Sequence, residues 1–348
     1  MFSALTFARA AAEPNRIGPA KDQLIAAANA AGYSGTSHRW TERCCWLIGI
    51  AACGFAAFLI STLGVAIETR SFAVSVALMA FFIFIYVFYG TWRPAPILSN
   101  ISGAVAVLFL SIGTAGVMSL VGLRYRFPLI DETLAKIDCS LAIDLPSITA
   151  WFADHPALSS LLWIAYASSF VQLFGLVVLL AVLRREDKLW ELVFVCSLTI
   201  VAAASFSTVW PAIGAFAHFD YPPDVLEKLP PGSGTYHLAK FEYFRNSFAP
   251  VLSFSSLQGV VTFPSFHCCL ALMTIFAAVG SRWLFWTLTG WNILVLISTI
   301  PIGGHYVIDL AGGGLLWLIG VALAAALSRS RRRASSLRAP QIISEANA

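Results

Sequence analysis

Two histidines and one aspartate are the residues of this chain whose types and spacing could do chemistry. Asp309 stands four residues after His305 in the segment GGHYVIDLAGGG. On a helix that spacing puts the two side chains on one face, within reach of each other. A carboxylate that accepts from one ring nitrogen fixes the tautomer and makes the other nitrogen a better base or nucleophile. An ionised group inside an apolar segment is costly and asks for a reason. Across the apolar segments of this chain, Asp309 is the one carboxylate clearly inside rather than at an edge. The bland alternative is a structural His–Asp hydrogen bond near a membrane surface.

His267 lies upstream, in TFPSFHCCLALM. Pro264 suits the first position of a helix, because its missing N–H would be unpaired there anyway. The amides of Ser265, Phe266 and His267 would then be free at a helix N-terminus, a natural phosphate site. Two apolar segments run between His267 and His305, so both are expected at the same membrane surface and can converge. Two histidines and an aspartate at one surface favour phosphoryl chemistry. Two other readings stay open: a proton-coupled transporter with His305–Asp309 as relay, and a haem protein with the two histidines as axial ligands. The sequence holds no Asp/Glu/His cluster suited to magnesium or zinc. No metal and no cofactor is expected.

These residues must be positioned by elements that lipid surrounds. Of 348 residues, 58% are hydrophobic and 11% are charged, with a mean hydropathy of +0.78. A soluble chain of this length carries about a quarter charged residues, so the apolar excess needs a bilayer. Eight apolar segments approach spanning length, over about 46–67, 72–90, 101–122, 157–183, 190–215, 265–280, 283–300 and 305–327. The expected fold is all-α, a polytopic membrane bundle of about eight transmembrane helices. The seven cysteines are odd in number and irregular in spacing, without a CxxC pair, and read as small apolar fillers.

Basic residues give the orientation. Arg39, Arg43, Arg93, Arg184, Arg185, Lys188, Arg282 and Arg329 fall on one side of an eight-span chain, with Arg331, Arg332 and Arg333 behind them. The positive-inside rule then puts both termini in the cytoplasm of a bacterial inner membrane and both histidines at the periplasmic face. Arg70, Arg124 and Arg126 stand against it. Two long outward loops follow, over about 123–156 and 216–263, the first with interfacial helices and the second helical over 236–247. Asp131 and Asp138, seven residues apart, share a helix face and read as solvated charge. Tyr166 and Gln172 read as interhelical hydrogen-bonding groups. His237, ahead of Arg245, is the loop histidine to watch.

PSFH followed by GGHYVID resembles the type-2 phosphatidic acid phosphatase superfamily, whose signature joins a Lys/Arg-rich element, PSGH and SR-x5-H-x3-D. Pro264-Ser265-Phe266-His267 matches the second part with Phe for Gly, and Ser298, His305 and Asp309 match the third with Thr299 at the Arg position. The first element is absent as K-x6-RP, and Lys240 with Arg245 are the nearest basic pair. These departures, and the stretch from PLIDETLAKID to AYASSFVQ, resemble the branch that contains inositol phosphorylceramide synthase. The resemblance covers about 128–314 and implies a six-helix catalytic core.

On that basis the chain divides into a cytoplasmic tail over 1–44, an accessory helix pair over 45–100, the core over 101–327 and a basic tail over 328–348. The resemblance implies a metal-independent phosphatase or phosphotransferase acting on a membrane lipid. His305, oriented by Asp309, would form a phosphohistidine, and His267 would protonate the leaving oxygen and then activate water or an alcohol. Arg245, Lys240, Ser265 and Ser298 would bind the phosphate. The expected partners are a lipid substrate and the membrane, with no nucleic acid. The oligomeric state is not fixed by the sequence.

Overall fold

The computed structural model describes residues 38–278 and 280–346, with side chains as far as Arg329. Most of the expected N-terminal tail, residues 1–37, lies outside the described residues, as do the side chains of the basic tail beyond Arg329. The described chain is helical almost throughout. In order the helices are α1 Arg39–Thr62, α2 Thr69–Thr91, α3 Pro96–Gly122, α4 Asp131–Ser140, α5 Leu145–Ala153, α6 Pro156–Ala167 and α7 Ser169–Val182. Then come α8 Glu186–Val209, α9 Ala215–His218, α10 Pro223–Lys228, α11 Leu238–Asn246, α12 Phe266–Ala277, α13 Arg282–Ser298 and α14 Val307–Ala346. A 3-10 turn, Leu123–Tyr125, extends α3. One short parallel pairing, β1 Ala66–Ile67 with β2 Val251–Leu252, ties the α1–α2 connection to the second long loop.

Five helices are long and apolar enough to cross a membrane: α1, α2, α3 with its 3-10 turn, α8, and α14 over Val307–Arg329. The segment expected as one span over 157–183 is a broken pair, α6 and α7, bent by 43°. The break falls at Ser168, whose hydroxyl donates to the Ala165 carbonyl at 2.7 Å and accepts from Trp291 Nε1 at 2.9 Å and Gln172 Nε2 at 3.0 Å. A serine that serves two helices and its own backbone interrupts the regular ladder. The sixth and seventh expected spans exist as helices of 12 and 17 residues. At ~1.5 Å per residue they reach ~18 and ~25 Å, short of a ~30 Å hydrocarbon core. The chain is an all-α polytopic bundle.

The core forms around α3 and α8. Trp190 of α8 is fully buried and donates from Nε1 to Asn100 Oδ1 of α3 at 3.0 Å. Close approach depends on Gly122, where a Cβ would lie 2.6 Å from Thr208 Oγ1. α2 buries only Ser71 and presents Phe81, Phe84 and Val87 outward, as a helix bathed in lipid does. α12, although short, is buried along most of its length and packs against α7, α8, α13 and α14. Cys45, Cys196, Cys268 and Cys269 are buried and free, in keeping with their reading as fillers.

Candidate active site

α12 begins at Phe266, with Ser265 as its N-cap: the hydroxyl accepts from the Cys268 amide at 3.4 Å. Pro264 therefore stands before the cap, not at the first helical position as its sequence context suggested. The Ser265 amide is not free either, because it donates to the Asp309 carbonyl at 3.0 Å. Among the described residues, the amides of Phe266 and His267 keep no acceptor. They are first-turn amides, pointing out of the helix end.

His305 sits in the turn between α13 and α14. Its amide donates to the Thr299 carbonyl at 3.0 Å, and the Ser298 carbonyl accepts from Ile302 and Gly303. Gly304 has φ +74°, and a Cβ there would lie 2.9 Å from the Cα of Gly234. Only glycine meets both conditions. The Gly304 carbonyl accepts from Ala215 at 2.9 Å, and the Ile302 carbonyl accepts from Gly234 at 2.7 Å. The turn is thus stitched to the second outward loop on both sides.

Within this frame Nδ1 of His305 lies 3.1 Å from Oδ2 of Asp309, which also accepts the Tyr306 amide at 2.9 Å. A carboxylate accepts, so Nδ1 carries the proton and Nε2 the lone pair. Nε2 faces the Ser265 hydroxyl at 3.4 Å. His305 and Asp309 are buried, and Asp309 Oδ1 has no partner. The His267 ring lies 6.5 Å from that of His305, centroid to centroid, at an angle of 61°. It stacks on Tyr166 at 4.0 Å and meets the edge of Phe170 at 6.2 Å. The Tyr166 hydroxyl pairs with that of Tyr236 at 3.0 Å. Tyr166 therefore belongs to the site, whereas Gln172 behaves as expected and accepts from Asn292 of α13 at 2.8 Å.

His267, Tyr166 and Tyr236 line a cavity of about 580 Å³ between α3, α6, α7, α8 and the second outward loop. Its wall is mostly apolar, from Ile112 and Gly116 to Leu257 and Val261, and it includes no Lys, Arg, Asp or Glu. His305 stands behind His267, outside the wall.

The structure brings His267, Ser265, His305 and Asp309 together and leaves the other expected ligands elsewhere. Ser298 Oγ is fully buried and donates back to Val295 at 2.6 Å. Arg245 Nη2 holds the Phe127 carbonyl at 2.9 Å, at the end of α3. Lys240 Nζ donates to the Ser256 carbonyl. Neither cation lines the cavity.

Two residues read as solvated are structural to the site. Asp138 is 1% exposed, and its carboxylate takes the Val307 amide at 2.7 Å and the Ile308 amide at 2.9 Å, capping α14 at the turn that holds His305. Asp131, 3% exposed, takes the amides of Ile213 and Gly214, both at 2.9 Å, and the Tyr306 hydroxyl at 3.0 Å. The signal was available: both carboxylates share the face of α4 that carries the buried Leu134. His237 is 5% exposed, and its Nε2 lies 2.7 Å from the Ile213 carbonyl. A carbonyl only accepts, so Nε2 bears the proton, and burial pulls the pKa of this ring below its ordinary value.

A family model described as the PAP2 superfamily matches residues 132–323. This chain belongs to the PAP2 superfamily. The matched region runs from α4 into α14 and holds every member of the constellation around His305 except Asp131. No curated protein and no solved structure matches the chain significantly. PAP2 members are generally phosphatases, so this multi-pass membrane protein is an enzyme of phosphatase or phosphotransferase type. α1, α2 and α3 lie before the matched region.

Proposed function

We propose that this PAP2 protein transfers the phosphoryl group of a lipid phosphate ester or pyrophosphate through a phosphohistidine on His305. The observation that carries the reading is the Nδ1–Asp309 contact of 3.1 Å, with the His267 ring 6.5 Å from that of His305. In the first step the Nε2 lone pair attacks phosphorus, the bond to the leaving oxygen breaks, and His267 gives that oxygen a proton. In the second step His267 takes a proton from water or an alcohol, the new oxygen attacks phosphorus, and the N–P bond breaks. His305 then recovers its lone pair. Asp309 stabilises the cationic imidazole that bonding at Nε2 creates, so the mechanism needs no metal. The amides of Phe266 and His267, the Ser265 hydroxyl and the Tyr166–Tyr236 pair are the neutral donors that would hold the transferring group.

A second reading, headgroup transfer between lipids as in the inositol phosphorylceramide synthase branch, is favoured by the uncharged cavity wall. A phosphomonoester dianion calls for cationic partners, whereas a phosphodiester carries a single charge that neutral donors hold more readily. The basic short connections support a site facing the periplasm of a bacterial inner membrane, with both termini cytoplasmic.

The test is phosphate release from phosphatidic acid and from isoprenyl pyrophosphate by purified protein without added metal, beside His305→Ala and His267→Ala. Release that both substitutions abolish is the expected result. No release, with a headgroup moving from a phospholipid to a lipid alcohol, selects the transferase. Folded protein with neither activity overturns both readings.

A further inference from the structure

Three arginines gather where α3 ends and α11 passes, at the end of the bundle that also carries His267. Arg124 donates from Nε to the Leu63 carbonyl at 2.8 Å and from Nη1 to the Ser247 carbonyl at 2.9 Å. Arg126 Nε donates to the Arg245 carbonyl at 2.9 Å, and Arg245 Nη2 donates to the Phe127 carbonyl at 2.9 Å. Every acceptor is a neutral carbonyl. Among the described residues, none of the three guanidinium groups meets a carboxylate. Arg245 Nη1 is buried with no acceptor at all. Three like charges held together by neutral groups repel one another and leave donors unused, so the cluster is short of an anion.

The surroundings fix its depth. Tyr125 and Phe127 are exposed and packed on each other at 5.5 Å, and Phe248 is 97% exposed beside the Arg124 guanidinium. Exposed aromatic rings at the end of a spanning helix mark the membrane–water interface. Cations on this side also oppose the charge bias of the other connections, so they need a local reason.

We propose that Arg124, Arg126 and Arg245 form a binding site for the phosphate of an anionic phospholipid headgroup, separate from the cavity at His267. Planar guanidinium groups pair with two phosphate oxygens at once, which suits this ligand better than a point cation would. The exposed Arg126 supplies the open side, Arg245 Nη1 the inner donor, and the aromatic rings lie along the acyl chains. The inference does not rest on the phosphoryl-transfer reading, because it is read by stability rather than activity.

The experiment measures thermal unfolding of the whole chain in nanodiscs of phosphatidylcholine with and without phosphatidylglycerol. Native mass spectrometry counts the phosphatidylglycerol retained. The wild type should gain on the order of 5 °C from the anionic lipid. Arg126→Gln and Arg245→Gln should lose most of that gain and retain less lipid, while Arg70→Gln, outside the cluster, keeps both. Arg126 decides the matter, since its side chain is exposed and a wild-type circular-dichroism spectrum shows its Gln variant folded. No gain in the wild type, or a full gain in Arg126→Gln, overturns the proposal. So does inorganic phosphate reproducing the gain without anionic lipid, which would make the site one for a soluble anion.

Discussion

Asp309 divides its carboxylate unequally: Oδ2 serves both the His305 ring and the Tyr306 amide, and Oδ1 is buried without a partner. The Asn variant would keep the shape and confuse the donors. If its amide nitrogen took the place of Oδ2, two N–H groups would face each other, and His305 would move its proton to Nε2, where the lone pair is needed. We expect Asp309→Asn to lower kcat by about 100-fold or more with little change in KM. Rapid-quench measurement of phosphohistidine formation checks this. A KM effect alone would mean that Asp309 holds the fold rather than the nucleophile. His237 gives a prediction of different sign. Burial depresses its pKa, so at acid pH the unfolded chain takes up a proton that the folded chain refuses. Its stabilising effect is complete above the ordinary histidine pKa of about 6.5 and is lost as pH falls below it, toward the folded value. The unfolding midpoint of wild type should therefore fall below about pH 6.5, and more steeply than that of His237→Gln, whose amide still donates to Ile213. Parallel curves for the two proteins would remove His237 from the acid response. The His305–Asp309 pair was legible from its four-residue spacing, although His305 precedes α14 and the contact is made by Asp309 reaching back from the first turn of that helix. Arg245 misled for the same reason in reverse. Its distance from PSFH fits the motif, but the intervening loop turns its guanidinium to Phe127.

α4 shows what a helix adds that its residues do not. It is short, lies outside the spans, and presents two carboxylates on its buried face, one to each strand of loop that frames His305. Asp138 grips the first amides of α14, where negative charge is also favoured by the helix dipole. Asp131 grips the loop that binds Gly304 and His237 in turn. Replacing Asp138 by Asn removes the charge and sets an N–H against one of two amides. We expect a loss of about 10- to 100-fold in turnover per active site, with the cavity and hence KM unaltered. Titrating active sites by the phosphohistidine burst separates this from a loss of folded protein. Unchanged turnover per site, with a lower unfolding midpoint, would reduce Asp138 to a structural cap. The helix itself was readable from its periodicity, and α11 within two residues at either end. Its role was not, because the amides that Asp138 holds lie 169 and 170 residues away along the chain. No local pattern carries such a pairing. The break at Ser168 was hidden likewise, since Trp291 enters from a distant helix.

Across the molecule, the site stands where helices of unequal length meet. The long helices α3 and α8 form one side of the cavity, the bent pair α6–α7 another, and the short α12 brings Phe266 and His267 to its edge. Hydropathy was right about lipid and about helices, and two of its eight segments are helices of only 12 and 17 residues. The 12-residue α12 is too short to span, and its N-terminus opens beside an apolar chamber. A chamber of about 580 Å³ lined by Ile112, Leu257 and Val261 is suited to hydrocarbon, and His267 stands in its wall. On the proposed lipid phosphate reading, chain length and headgroup would be sensed by different parts of the protein. Ile112→Trp adds bulk within the chamber on a residue that is only partly buried, so it occupies space instead of straining the core. For a long-chain lipid phosphate, KM should rise about 10-fold, the loss of roughly 1.4 kcal/mol of apolar burial, with kcat nearly kept. For a short-chain, water-soluble phosphate ester neither constant should change. Equal losses with both substrates would place the tryptophan's effect at the histidines and detach the cavity from the hydrocarbon chain. An unchanged long-chain KM would mean that the chain stays in the bilayer and only the headgroup enters the protein.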